Sequence, residues 1–153
     1  MSRAELYAKL ADDLRALLAG ERDLIANAAN TAAQIWEALP DLNWAGFYLL
    51  RDGELVLGPF QGRPACVRIA MGKGVCGAAA AARETQVVDD VHVFPGHIAC
   101  DAASRSEIVI PLIRGGKLLG VLDLDSPLPA RFDEEDRRGL EEAATVFLES
   151  LGG

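Results

Sequence analysis

The spacing of apolar residues predicts helices at both ends of the chain. Leucines recur at helical intervals in the first twenty residues, and Gly20 ends that pattern. They are Leu6, Leu10, Leu14, Leu17 and Leu18. An alanine-rich second helix is predicted from about Asp23 to Leu39, where Pro40 stops it. A last helix is predicted after Asp133, whose side chain suits an N-cap.

The middle of the chain has the alternating pattern of strands. "NWAGFYLLRDGELVLGPF" predicts a hairpin that turns at Asp52-Gly53, and "SEIVIPLIRGGKLLGVLDLDS" predicts a second one around Gly115-Gly116. Short strands are predicted in "CVRIAM" and "TQVVDDV", with a helix of roughly Val75 to Arg83 between them. Residues 89–105 are predicted to form a loop, with at most a brief helix at Asp101–Ala103.

This order of elements predicts the class of fold. Hairpins outnumber crossover units, so we expect an α+β fold of the α/β sandwich type, with a mainly antiparallel sheet of about six strands flanked by helices. A chain of 153 residues is expected to form one domain over residues 1–153. Its predicted parts are N-terminal helices at 2–39, the sheet and its loops at 40–130, and a C-terminal helix at 133–150.

Charge and hydropathy restrict the class of partner. The net charge is −8, from 15 basic and 23 acidic residues, which argues against binding to nucleic acid or to an anionic membrane. The sequence contains neither a run of 18 apolar residues nor the apolar region of a signal peptide. We therefore expect a cytoplasmic protein with no nucleic-acid or membrane partner.

Cys66, Cys76 and Cys100 are the first candidates for chemistry. An odd number of widely spaced cysteines is not the framework of a secreted disulfide protein. Inert core thiols, a metal site that uses a histidine of "HIAC", and redox chemistry remain open, and no metal ligand is assigned. All three cysteines adjoin turn residues, which favours redox chemistry. Cys76 also begins a helix, where the macrodipole favours a thiolate.

Two aspartates are the next candidates. Asp123 and Asp125 lie two residues apart in "GVLDLDS", so a strand places both on one face. One interpretation is a solvated strand end before Pro127; the other is a cluster that holds an ammonium group or delivers a proton. Glu107 begins the partner strand of this hairpin and could approach both aspartates, although the sequence does not give the register.

Aromatic and glycine-rich segments complete the set of candidates. Trp44 and Tyr48 share one face of the first strand, either as core residues or as an aromatic wall for a small ligand. "GKGVCG" lacks the phosphate-loop pattern, but its amides near Gly74-Val75 could hold a carboxylate. His92 and His97 are candidate acid–base or metal-binding groups, but the preferred interpretation is that they are hydrogen-bonding residues of the loop.

Several of these segments together resemble a known family. They are "NWAGFY", "GPFQGRPACVRI", "GKGVCG", "ETQVVDDVHVFPGHIACDAASRSEIVIPL" and "GVLDLDS". They look like the corresponding segments of the free methionine-(R)-sulfoxide reductases, which are single GAF domains. The resemblance covers about residues 40–130 and implies a GAF fold with oxidoreductase activity. A non-catalytic GAF sensor that binds a small ligand or a metal is the alternative, because many GAF domains are regulatory.

The resemblance assigns a role to each cysteine. Cys100 matches the catalytic cysteine, while Cys66 and Cys76 match resolving or recycling positions. The implied reaction is thiolate attack on free methionine sulfoxide, followed by a sulfenic acid and an intramolecular disulfide. Thioredoxin would then restore the thiols, with NADPH supplying electrons through thioredoxin reductase and no bound cofactor.

The same resemblance assigns the pocket residues. Glu107, Asp123 and Asp125 match the acidic residues of the substrate pocket. Glu107, together with Asp123, is expected to supply the proton, and Asp125 or its neighbour Asp123 to hold the substrate's ammonium group. Trp44 and Tyr48 match the aromatic wall. The N-terminal helices offer a surface on which two subunits could pair as a homodimer.

Overall fold

The computed structural model describes residues 1–97 and 102–152. The helices are α1 (Arg3–Leu18), α2 (Leu24–Ala38), α3 (Gly74–Ala82) and α4 (Glu134–Ser150). The strands are β1 (Trp44–Arg51), β2 (Glu54–Gly62), β3 (Arg68–Ala70), β4 (Gln86–Val88), β5 (Ser106–Arg114) and β6 (Lys117–Ser126). The six strands form one sheet in the order β3-β2-β1-β6-β5-β4, and every neighbouring pair is antiparallel. The predicted α+β fold is confirmed.

The N-terminal and C-terminal helices cover one face of the sheet. α1, α2 and α4 pack together over the apolar residues that β1, β5 and β6 direct to that side, among them Phe47, Ile108 and Leu122. The helical prediction for α1 is confirmed, but Leu17 points to solvent with 44% of its surface exposed. Tyr7 and Ala11 join the buried side of α1 instead, since Tyr7 lies one helical turn from Leu10 and Ala11 lies one turn from Leu14.

The other face of the sheet carries a second, smaller core. α3 packs on β5 and β6 there, and Cys76 and Ala80 bury against Val109 and Val121. Alternation along β1 explains the division, because Phe47 points to the first face while Trp44 and Tyr48 point to the second. All three of these side chains are buried, so both faces of β1 are covered.

The hairpin turns lie where the sequence predicts them. Asp52 and Gly53 have φ of 51° and 81°, and Gly115 and Gly116 have φ of 59° and 79°. Positive φ at both central residues gives the turn that matches the twist of antiparallel strands, and glycine adopts it without strain. The second turn fixes the β5–β6 register and thereby sets Glu107 directly opposite Asp125.

The loop before β5 is only partly described. Val91–Val93 form a 3-10 turn capped by Asp90, whose side chain accepts from the His92 amide. Of the brief helix predicted at Asp101–Ala103, the first residue lies outside the described residues and the other two form a turn. Within the described part of the chain, no helix has the length and hydropathy needed to span a membrane.

Candidate active site

A pocket opens on the second face of the sheet, at the end where β1, β5 and β6 meet the start of α3. Strands contribute Trp44, Tyr48, Ile69, Glu107, Asp123 and Asp125, and the helix start contributes Lys73, Gly74, Val75 and Cys76. Ala65, His97 and Ser104 close it from the loops. Six of the eight residues predicted for the site therefore line one pocket. Cys66 packs beside it, and Cys100 lies outside the described residues.

Strand register brings the three carboxyl groups together. Glu107 and Trp44 both pair with Asp125 from neighbouring strands, and Gly46 pairs with Asp123. The residues are buried, with exposures of 8% for Glu107, 4% for Asp123 and 9% for Asp125. The interpretation as a solvated strand end is therefore wrong, because the helix start and loops cover this edge. Within the described chain, Oδ1 of Asp123 and Oδ1 of Asp125 are buried without a hydrogen-bond partner.

Burial sets the protonation of this cluster. Desolvation raises the pKa of Glu107 well above its ordinary value, and the neighbouring Asp123 raises it further. Desolvation and the charge of Asp125 raise the pKa of Asp123, and desolvation and Glu107 raise that of Asp125. Three buried carboxyl groups in one pocket do not all ionise readily, so the cluster retains protons at pH values where exposed carboxyls have lost theirs.

The two described cysteines differ sharply. Cys66 is half-buried and disulfide-bonded, whereas Cys76 is a buried free thiol. Cys76 Sγ lies 3.9 Å from Glu107 Oε2. Burial, followed by Asp123 and Glu107, raises the pKa of Cys76 well above its ordinary value. The expectation that the helix start favours a thiolate at Cys76 is wrong, because desolvation and adjacent carboxyls outweigh the macrodipole.

Metal binding needs donors at chelating distance. One donor atom from each of Cys76, Glu107 and Asp123 lies within 4.8 Å of the other two, which is a separation that a metal ion could use. The alternative of three cysteines with a histidine is not supported, since Cys76 faces carboxyls and Cys66 is held in a disulfide.

Stacked aromatic rings form the opposite wall. The Trp44 ring lies 5.8 Å from that of Tyr48 and 5.1 Å from that of Phe60, at interplanar angles of 25° and 16°. A Cβ on Gly46 would lie 2.3 Å from Phe60 Cβ, so only glycine lets Phe60 approach the stack. The aromatic residues are thus both core and pocket wall. Phe60 was not predicted from the sequence, because its place in the stack depends on its pairing with Gly46 across the hairpin.

The aromatic wall also holds the segment that contains Cys66. Trp44 Nε1 donates a hydrogen bond of 3.2 Å to the Arg63 carbonyl, and the Tyr48 hydroxyl donates one of 2.8 Å to the Cys66 carbonyl. These two bonds fix the backbone on both sides of Ala65, which lines the pocket. The wall therefore sets the position of Cys66 relative to the carboxyl cluster.

The mouth of the pocket carries a lysine and a histidine. Lys73 precedes α3 and is exposed, while His97 is partly buried. Burial and the nearby His92 lower the pKa of His97, so His97 is neutral at pH 7. His97 lines the pocket, although its sequence context led us to interpret it as a hydrogen-bonding loop residue. The Gly74 amide donates to the Gly96 carbonyl at 3.2 Å, which leaves the next amides of the first helical turn as the candidate carboxylate donors.

Asn43 and Ser104 join the site without a signal in the sequence. Asn43 Nδ2 donates to Ser104 Oγ at 3.0 Å, and its backbone amide donates to the Asp125 carbonyl at 2.9 Å. Ser104 is only 6% exposed and lines the pocket. A serine in a loop and an asparagine before a strand are common, so neither residue type indicated the contact.

The fold and pocket together define a class of protein. An antiparallel six-stranded sheet flanked by helices is the fold implied by the GAF resemblance. The model of the family described as "GAF domain" matches residues 20–147. The GAF fold predicted from the resemblance is confirmed.

Individual relatives define the family more narrowly. Free methionine-R-sulfoxide reductase from Escherichia coli is 57% identical over 142 residues, which cover 93% of this chain and 86% of that protein. The structure of the Neisseria meningitidis enzyme of the same name, in complex with its substrate, is 47% identical with a TM-score of 0.94 and covers 98% of this chain and 90% of that one. A structure described as a GAF sensor protein from Burkholderia vietnamiensis is 63% identical with a TM-score of 0.96, covering 99% and 96%.

This chain belongs to the GAF-domain family and, within it, to the free methionine-R-sulfoxide reductases. The prediction of an oxidoreductase is confirmed at the level of the family.

Proposed function

We propose that this protein reduces free L-methionine (R)-S-oxide to L-methionine by thiol chemistry. The observation that carries the proposal is the cluster of three buried carboxyls opposite a stacked aromatic wall. A sulfoxide oxygen leaves only when it is protonated, and a carboxyl that keeps its proton at neutral pH can supply that proton. The aromatic wall suits the S-methyl group, and the family of the relatives supports the substrate.

The proposed first step is attack by the Cys100 thiolate on the sulfoxide sulfur. A Cys100–sulfur bond forms as Glu107, assisted by Asp123, protonates the oxygen. The oxygen is then transferred to Cys100, so methionine leaves and Cys100 becomes a sulfenic acid. Sulfur of the substrate is reduced by two electrons and sulfur of the cysteine is oxidised by two.

The second stage closes and reopens a disulfide. A resolving thiol attacks the Cys100 sulfenic acid, and water leaves as the disulfide forms. We assign Cys66 to this role because it is half-buried and already disulfide-bonded, whereas Cys76 is a buried thiol whose raised pKa disfavours attack. Thioredoxin would reduce the disulfide by exchange, with NADPH as the electron source, which suits a reducing cytoplasmic compartment.

Charge would select the free amino acid over a methionine within a polypeptide. We assign the substrate ammonium group to Asp125 at the inner end of the pocket and its carboxylate to the amides of Val75 and Cys76 at the helix start. Trp44 would contact the methyl group. A methionine sulfoxide within a chain lacks both charges and would leave the Asp125 carboxyl without a partner.

The test uses reduced protein with racemic free methionine sulfoxide, thioredoxin, thioredoxin reductase and NADPH. We expect NADPH consumption to stop when about half of the sulfoxide remains, as the S diastereomer, because one stereoisomer fits the site. A Cys100→Ser protein should be inactive. Full activity of that variant, or equal activity on a sulfoxide-containing peptide, would contradict the proposal. Tight ligand binding without any turnover would favour the GAF sensor.

Substitution of the two described cysteines separates their roles. Cys66→Ser should still form one methionine per protein in a single turnover but lose thioredoxin-driven turnover by on the order of 100-fold, because the sulfenic acid lacks its resolving partner. Cys76→Ser should keep multiple turnovers. Quantifying methionine in single-turnover and steady-state assays distinguishes the two, and a reversed pattern would assign resolution to Cys76.

A further inference from the structure

We propose that Ser104, held by Asn43, is a positioning residue that makes Asp125 the ammonium-binding carboxylate of the pocket. The inference deepens the proposed function and rests on it. Glu107, Asp123 and Asp125 are similarly buried, and their surroundings give Asp125 a different task from the other two.

Ser104 is held beside the end of β6. The following residue, Arg105, donates its amide to the Ser126 carbonyl at 2.8 Å, and its carbonyl accepts the Val91 amide at 2.8 Å. Asn43 reaches the same place from the start of β1 and bonds to the Asp125 carbonyl. Two strands and a loop therefore fix the Ser104 side chain next to Asp125.

The hydrogen bond from Asn43 determines where the Ser104 hydroxyl proton points. Asn43 Nδ2 donates to Ser104 Oγ, so this oxygen acts there as an acceptor. A serine hydroxyl has a single proton, which stays available for a different partner. Burial and Glu107 raise the pKa of Asp125, and the contact of its carboxyl with this hydroxyl opposes that rise because it favours the ionised form.

The other two acids lack this arrangement. Glu107 and Asp123 instead contact the thiol of Cys76, which is a weak hydrogen-bond donor. Asp125 alone among the three combines the Ser104 contact with a buried oxygen, Oδ1, that has no hydrogen-bond partner in the described chain. That oxygen can accept an ammonium hydrogen while Ser104 stabilises the carboxylate charge. Glu107 and Asp123 are left to carry the transferable proton.

The test pairs a Ser104 substitution with removal of the substrate's own amino group. The second substrate is 4-(methylsulfinyl)butanoate, which keeps the sulfoxide and carboxylate but has no ammonium. Ser104→Ala should lower kcat/KM for free methionine sulfoxide by about tenfold, mainly through KM, and change kcat/KM for the analogue by less than about twofold. Ser104→Thr, which retains the hydroxyl, should recover most of the difference between the two substrates.

Controls separate positioning from folding. Thermal unfolding checks that the variants are folded, and Ser150→Ala, a serine of α4 outside the pocket, should leave both substrates unaffected. Equal loss for both substrates in Ser104→Ala, with no recovery in Ser104→Thr, would overturn the inference in favour of a structural role. Unchanged kinetics with both substrates would overturn it as well. Absence of wild-type turnover on methionine sulfoxide would instead refute the proposed function on which the inference rests.

Discussion

Glu107 lies opposite Asp125 on the neighbouring strand, and both side chains are shielded from water. At this scale the chemistry of a residue depends on its surroundings more than on its type, because the same carboxyl that ionises on a surface keeps a proton when buried beside another acid. Cys76 shows the same effect, since burial and the neighbouring carboxyls raise the pKa of its thiol and keep it protonated although it lies at a helix start. Glu107, the proposed proton donor, and Asp125, the proposed partner of the substrate ammonium group, can therefore lie side by side.

The first prediction at the residue scale concerns Glu107. Glu107→Gln keeps the shape of the side chain but removes the transferable proton, so kcat should fall by roughly 100-fold or more while KM changes little. Single-turnover methionine formation measures this step apart from recycling. The matched control is Glu54→Gln, an exposed acid of β2 paired with Arg68, which should retain wild-type kinetics. A Glu107→Gln protein with normal single-turnover rate would exclude Glu107 as the proton source.

Among the elements, α1 and α4 are joined by a buried polar contact. The Tyr7 hydroxyl donates a hydrogen bond of 2.7 Å to Asp136 Oδ1, and burial with this bond raises the pKa of Tyr7 far above its ordinary value. Asp136 also forms the capping box of α4 with Asp133 and bonds to Arg131. A Cβ on Gly139 would lie 2.1 Å from the Tyr7 ring, so the two helices are in close contact here.

Removing the Tyr7 hydroxyl should weaken this helix pair. Tyr7→Phe preserves the ring but leaves a buried Asp136 oxygen with one donor fewer, which should lower the free energy of unfolding by about 1–2 kcal/mol. Urea unfolding followed by circular dichroism measures the difference. Arg3→Ala, which removes the more exposed partner of the same aspartate, should lose under about 1 kcal/mol. An equal or smaller loss in Tyr7→Phe would show that the buried bond contributes little.

Across the whole molecule, stability and function use opposite faces of one sheet. The larger core beneath α1, α2 and α4 contains apolar side chains, whereas the face under α3 buries three acids and a thiol. Each buried acid has a raised pKa and therefore binds more protons in the folded state than in the unfolded state. Stability should then fall as pH rises from about 4, the ordinary carboxyl pKa, through the raised values.

Asp123→Asn should reveal how much the buried acid lowers the stability of the folded protein at high pH. The amide cannot ionise, so the variant should be more stable than the wild type at pH 8, by on the order of 1 kcal/mol, and nearly equal to it at pH 4. Its reductase activity should fall. Urea unfolding of reduced protein at several pH values gives the comparison. Asp12→Asn, at a side chain that is 79% exposed, should show no such gain at high pH. A wild type whose stability rises steadily from pH 5 to pH 8 relative to Asp123→Asn would contradict the argument.

Local patterns in the sequence were enough to predict most of the fold. The turn pairs Asp52-Gly53 and Gly115-Gly116, the Asp133 cap and the leucine spacing in α1 each act within a few residues, so their outcome needs no knowledge of the rest of the chain. Alternation likewise placed Asp123 and Asp125 on one face of β6. The resemblance to a family added the proposed substrate and the proposed roles of the cysteines.

Only the tertiary structure decided how these parts meet. The register that sets Glu107 opposite Asp125, and Asp125 opposite Trp44, joins residues from distant parts of the chain. The covering of that edge by α3 and the loops determines how much water reaches it. Desolvation depends on all the atoms that surround a group, so the raised pKa values of the acids and of Cys76, and the contact of Ser104 with Asp125, arise from packing that no local pattern encodes.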